Sequence, residues 1–321
     1  PAGPVSLLRT SLLSPVEKMT VGALLVRLPR LDPVPLDDVT VDDWIDSVTR
    51  REAVRNLLTA LFRLATYVNC PELLSAGAAL RQLSMAVDDG VLYLHGGWQT
   101  LVDGLTTRAE TAGVVFRYDG SVTGVLGESP RLAIRTATED LSARTTIVAA
   151  GGPETAERLT GATGLVEAAG PPTRAAVLDL ALDHQPDHRF VLGIDHPVYF
   201  SVHGPPARLA PDGQAAASAV RYLHPGADDP ADENRSALED IAAACGVQAS
   251  SLLADRYLHA MTVAHGIPLA ERGGLAGRPG IDAADRPGVL IAGDWVGPEG
   301  MLADAAAASA WAAAIDRKSV V

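Results

Sequence analysis

One stretch near the C-terminus, Gly288 to Ala314 (GVLIAGDWVGPEGMLADAAAASAWAAA), restricts the fold more than any other part of the chain. Its four apolar residues Val289 to Ala292 predict a short buried strand. Gly-Asp-Trp and Gly-Pro-Glu-Gly follow at once, and an alanine-rich segment with the composition of a buried helix closes the stretch. The reading is strand, tight turn, loop, helix. Gly293, Gly297 and Gly300 remove side chains where a ligand or a second backbone would otherwise clash. A helix beginning near Met301 aims its first unpaired amides into that loop, and with them a partial positive charge suited to an electron-rich group. Asp294, at the strand end, is placed to accept hydrogen bonds from sugar-type hydroxyls.

Composition narrows the classes of function. At 321 residues the chain has room for two cores, and its scarce aromatics and abundant alanine mean those cores are aliphatic. A formal charge of -13 argues against nucleic acid and against attachment to anionic lipid. Cys70 and Cys245 supply neither a disulfide framework nor a metal spacing, which suits a reducing compartment. No apolar run reaches the length a membrane helix needs, and no signal peptide opens the chain. The expectation is a soluble, cytoplasmic protein, peripheral to a membrane at most.

From the N-terminus the chain reads first as helical. A surface loop is expected around Leu31 to Asp38, and Thr40 with Asp42 and Asp43 marks a helix start. Val54, Leu57, Leu58, Leu61 and Leu64 recur at helical spacing towards Tyr67, and a further helix is expected to open at Pro71. Val91 to Gly97 is a short apolar stretch stopped by two glycines, and Trp98 to Ala112 predicts a helix. Strand periodicity then takes over at Val114 to Tyr118, Ser121 to Leu126, Arg131 to Ala137 and Arg144 to Ala149. Ala175 to Leu182, Phe190 to Ile194, Tyr199 to Val202 and Ala219 to Leu223 read as strands of one antiparallel sheet, with a helix over Ser236 to Ala244. His184, His188, His196 and His203 fall in this part without zinc-type spacing, so no metal is expected.

The stretch Val289 to Ala314 resembles the C-terminal flavin motif of the FAD-dependent amine oxidase and phytoene desaturase superfamily. There an apolar strand, Gly-Asp and a glycine loop open a helix. The resemblance implies that Asp294, beside Gly293, meets the ribityl or pyrophosphate part of FAD. It also implies that the backbone of Met301 and Leu302, after Gly300, faces the N1 and C2 carbonyl edge of the isoalloxazine. HGGWQTLVDGL is similar to the family's Gly-Gly element. The resemblance implies that the following strand sets Val122 against the adenine, and TTIVAAGGP resembles the strand beside the pyrophosphate loop, with Ala149 and Gly151 small because backbone passes close by.

The implied fold class is α/β, an FAD-binding Rossmann-like domain interleaved with a mixed sheet-plus-helix substrate domain. Residues 1-90 read as a helical substrate-side segment, 91-152 and 266-315 as the middle and C-terminal parts of the FAD-binding domain, and 153-265 as the substrate domain. The sequence carries no G-x-G-x-x-G before a helix, the fingerprint that holds a dinucleotide pyrophosphate. The first βαβ unit is therefore expected to be missing, as in a gene fragment, and 316-321 reads as a non-native tail. The implied chemistry is removal of a hydride equivalent from an apolar, carotenoid- or isoprenoid-like, or amine substrate, with electrons passing to oxygen or a quinone. An amine or protoporphyrinogen oxidase, or a flavin-free binding relative, are the other readings. Because the cofactor does the bond-breaking, no catalytic acid or base is singled out.

Overall fold

The structure is a computed structural model that describes residues 12–88, 92–205, 207–228, 230–282 and 284–316. In chain order the helices are α1 (Pro15–Arg27), α2 (Val41–Val48), α3 (Glu52–Thr66), α4 (Ala76–Asp88), α5 (Gln99–Thr111), α6 (Pro153–Thr160), α7 (Leu165–Ala169), α8 (Ala231–Ala244) and α9 (Ala303–Asp316). The strands are β1 (Val122–Glu128), β2 (Arg131–Thr136), β3 (Asp140–Ala143), β4 (Thr146–Val148), β5 (Thr173–Leu182), β6 (Phe190–Leu192), β7 (Val198–Gly204), β8 (Ala215–Leu223), β9 (Leu252–Ala264) and β10 (Val289–Ile291). They form a mixed α/β molecule of two units. One gathers Pro1–Gly90, Thr145–Thr173 and Val263–Val321; the other gathers Val91–Arg144 and Arg174–Thr262. Residues 317–321, most of the expected tail, and Val91, where the Gly-Gly stretch was expected to begin, lie outside the described residues.

In the first unit local signals set the helix starts. Ser14 and Glu17 close a capping box on α1, and the Asp43 amide donates to the Thr40 hydroxyl at 3.0 Å to start α2. Thr40 therefore starts a helix as expected, but that helix stops at Val48 and α3 is separate, ending at Tyr67 with φ of +62°. Trp44 packs edge-on against Phe62 at 5.6 Å between ring centres, joining α2 to α3. The helix expected at Pro71 begins later, at Ala76. The backbone before it is used by neighbours instead: the Leu74 carbonyl accepts from Val41 and the Ser75 amide donates to Pro268. Gly77 in turn lets Asp37 and the Pro33 carbonyl lie close against α4, since a Cβ there would stand 2.2 Å from Asp37 Oδ1. At the centre of the site described below, β10 pairs parallel with β4, Val289 opposite Thr146 and Ile291 opposite Val148, and all three β10 residues are buried.

The second unit holds a five-stranded sheet in the order β6-β7-β8-β5-β9 and a meander β1-β2-β3. The four expected antiparallel strands are present, and β9 joins them as a fifth that periodicity did not reveal. Residues pointing to one face alternate along each strand. On that face Leu178, Leu180, Phe200, Val202, Ala217 and Ala219 pack beneath Leu238 and Ala242 of α8. Val114 to Tyr118, expected as a strand, forms none: Phe116 stacks on Tyr118 at 6.1 Å and Arg117 pairs with Glu139. Asp140, which lies between two expected strands, opens β3. Among the described residues no helix is long and apolar enough to cross a membrane, and no cluster of metal-binding side chains is found.

Candidate functional site

Because β4 and β10 run parallel, their carboxyl ends emerge side by side. The Ala292 amide donates to the Val148 carbonyl at 3.0 Å, continuing the pairing one step past β10. Ligands of open α/β sheets gather at such strand ends. Here the ends are Ala149 and Gly151 on one side and Ala292, Gly293 and Asp294 on the other, and they line a cavity of about 360 Å³ with His265, Leu302 and the alanines of α9.

Three side chains fix the loop between β10 and α9. The indole of Trp295, which is buried, donates to the Gly151 carbonyl at 3.1 Å and so ties the loop to the end of β4. A Cβ on Gly293 would stand 2.7 Å from that indole nitrogen, so the position has no space for a side chain. Buried Ser309, one face along α9, accepts from the Gly293 amide at 3.0 Å and donates to the Gly293 carbonyl at 2.9 Å. Arg278 then reaches in from the preceding irregular segment. Its guanidinium donates to the carbonyls of Asp294 (3.2 Å), Glu299 (3.1 Å) and Gly300 (2.9 Å). Burial lowers its pKa to about 10, against the opposing pull of the Asp294 charge. Arginine remains charged at neutral pH, so a cation sits under the glycine loop.

Asp294 faces the cavity with its side chain only 17% exposed. One oxygen accepts from the His265 amide at 3.1 Å and the other lies 3.0 Å from His265 Nδ1. Each carboxylate oxygen keeps further lone-pair capacity towards the cavity. Ahead of α9, Gly300 has φ of +65° and Leu302 φ of +55°, an uncommon backbone for leucine. Among the described residues no acceptor meets the amides of Leu302 and Ala303, so both remain as donors at the helix start.

The structure therefore brings Ala149, Gly151, Gly293, Asp294 and Leu302 to one cavity. The Met301 side chain is buried against Ala78 and Leu275, and Gly300 serves through its carbonyl as an Arg278 acceptor. Val122 opens β1 in the other unit, 38% exposed. The helix starts at Ala303, two residues past the expected Met301. Sequence reasoning missed His265, Arg278 and Ser309. A charged residue set among glycines and apolar residues, as Arg278 is in GRPG, was the one available signal.

No family model matches the sequence, and no curated protein is similar to it at the level of sequence. Solved structures are similar over nearly its whole length. An oxidoreductase from Methanosarcina mazei superposes with a TM-score of 0.71 at 18% identity, over 95% of this chain and 74% of that one. Cyclohexylamine oxidase from Brevibacterium oxydans gives 0.63 at 16%, over 95% and 76%. A putrescine oxidase variant redesigned in cofactor binding gives 0.67 at 13%, over 96% and 76%. At these identities the likeness shows the fold alone, and this chain shares it with solved oxidoreductases. Two of them are amine oxidases, so the fold agrees with the one that the resemblance of the Gly-Asp motif implied.

Proposed function

We propose that the protein is an FAD-dependent oxidoreductase that removes a hydride equivalent from an apolar, carotenoid- or isoprenoid-like, or amine substrate, with oxygen or a quinone taking the electrons. One observation carries this reading: Asp294, the open amides of Leu302 and Ala303 and the small residues of two parallel strand ends all meet at one cavity. A carboxylate acceptor beside free amides suits a ligand with hydroxyls at one point and an electron-rich heterocycle edge at another.

The residues present fit the flavin end of the cofactor. Asp294 would hold the ribityl hydroxyls, the Leu302 amide and its neighbours the ring edge, and Ala149 and Gly151 would admit close backbone approach. The family resemblance gives Val122 the adenine. When bound, the flavin supplies hydride acceptance and electron transfer; the chain binds it, orients it and favours the electron-rich reduced form through the helix start. On this reading the β4–β10 pair belongs to an incomplete Rossmann-like sheet that serves the cofactor, and the five-stranded sheet with α8 serves the substrate.

The absence of a G-x-G-x-x-G loop from the sequence makes the flavin end the main source of affinity. Titrating the 321-residue chain with FAD and with riboflavin, followed by flavin fluorescence and absorbance, tests this. The expected result is saturable binding of both, with affinities within about tenfold of each other. Absence of binding of either ligand up to about 1 mM would overturn the reading.

A further inference from the structure

The face of the five-stranded sheet opposite α8 carries a cavity of about 700 Å³, within the size range of small-molecule sites. Alternation places Asp179 and Ala181 of β5, His203 of β7, Ala216 and Ser218 of β8 and Arg256 of β9 on this wall. Alanines at positions where larger residues could stand leave the floor low. The opposite wall is the segment Leu92 to Trp98, held in the same unit by the Gly96 amide on the Arg208 carbonyl at 3.1 Å. The Arg208 amide in turn donates to His95 Nδ1 at 3.1 Å, so His95 serves to hold this wall. Leu92, Tyr93, Leu94 and Trp98 thereby present exposed apolar surface to the sheet.

We infer that this cavity binds an uncharged small molecule with an apolar body and one hydroxyl or carbonyl, and discriminates against amines and carboxylates. Its charges are already compensated from within. Asp179 accepts from Ser218 at 2.8 Å and from Arg256 at 2.6 and 3.1 Å, so the lone cation and the anion of the wall face each other. Asp255, next along β9, bonds Arg235 of α8 at 3.1 Å and so is held by the helix that covers the other face. A charged ligand would give up hydration without meeting a free counter-charge. His203 Nδ1 and the Tyr93 hydroxyl stand 3.4 Å apart, too far for a strong mutual bond, which leaves both able to bond a neutral oxygen.

The proposal rests on the oxidoreductase reading only for what is done to the ligand, where it selects the apolar over the amine substrate. Its test needs no flavin. Calorimetric titration of the full chain at pH 7.5 with 1-decanol, decylamine and decanoate compares three headgroups on one chain length. The expected result is decanol binding at least about tenfold tighter than either charged probe, and about tenfold weaker in Ala181→Phe, which fills the cavity from the side away from α8. Equal or tighter binding of decylamine or decanoate, no binding of decanol, or decanol binding unchanged in a folded Ala181→Phe would each overturn it. Failure here leaves the flavin titration unaffected, and failure there leaves this result standing.

Discussion

Asp294 and His265 are joined at two points, the His265 amide at 3.1 Å from one carboxylate oxygen and ring Nδ1 at 3.0 Å from the other. Since a carboxylate only accepts, Nδ1 carries the proton that joins them. The pair turns a flexible carboxylate into a fixed one at the mouth of two strand ends.

Asp294→Ala removes both bonds and leaves the His265 amide without its acceptor. The expected loss is about 1–3 kcal/mol of stability in urea, together with at least about a tenfold loss of flavin affinity. Asp294→Asn, which keeps one acceptor oxygen, should lose less of each. Wild-type flavin affinity in a stably folded Asp294→Ala would remove this residue from the site.

Arg278→Met keeps the bulk of the side chain but strips three loop carbonyls of their donor. Each orphaned buried carbonyl costs about 1–3 kcal/mol, offset in part by no longer burying a charge, so a net loss of about 3 kcal/mol is expected. Faster amide exchange at 294–300 is the local readout. Equal exchange in variant and wild type would mean that the loop holds its shape without the guanidinium.

His203 is half-buried beside Tyr93, with Asp179 and Arg256 on the same wall, and burial lowers its pKa below the ordinary 6.5 although the Asp179 charge pulls the other way. Between the lowered value and 6.5 the unfolded chain binds more protons than the folded one, so stability rises with pH across that window and is lost on acidification through it. Subtracting the urea stability of His203→Gln from that of the wild type at each pH isolates this component. The difference should fall as pH drops below 6.5 and stay flat above it. A difference that rose on acidification would contradict the assigned burial.

Cys70 is fully buried, and its thiol is pushed up to about 12 by that burial, with Glu72 adding to the effect. Cys245 shifts in the same direction for the same reason. The thiolate is the reactive form, so a disulfide reagent at pH 8 should label neither in the native protein and both in denaturant. Rapid native labelling of Cys70 would show that its surroundings open.

How far the sequence reveals this structure depends on whether the signal is local. Val289 to Ala314 carries its strand, turn and helix within consecutive residues, and the strands from Ala175 to Leu223 announce themselves by alternation. The β9 strand escaped because LLADRYLHAMTVA scatters charges along a strand at the sheet's margin, which dilutes the period. VVFRY misled in the opposite direction: it has strand composition and, among the described residues, pairs with no strand. Pro71 similarly suggested a helix start where neighbouring backbone claimed the turn. Within the site, Asp294 and the glycines are legible, whereas His265 and Arg278 lie 29 and 16 residues upstream and reach Asp294 only through the tertiary fold.

The Ser309 hydroxyl that serves both the amide and the carbonyl of Gly293 makes strand end and helix a single stiff piece. Whatever enters the neighbouring cavity must do so without tilting the helix away from the sheet. A saturation library across 303–316 should then tolerate change at the exposed alanines and reject it at buried Ala305 and Ala313 and at the one hydroxyl-bearing position between them, where even threonine's extra methyl would have to be accommodated against a glycine backbone.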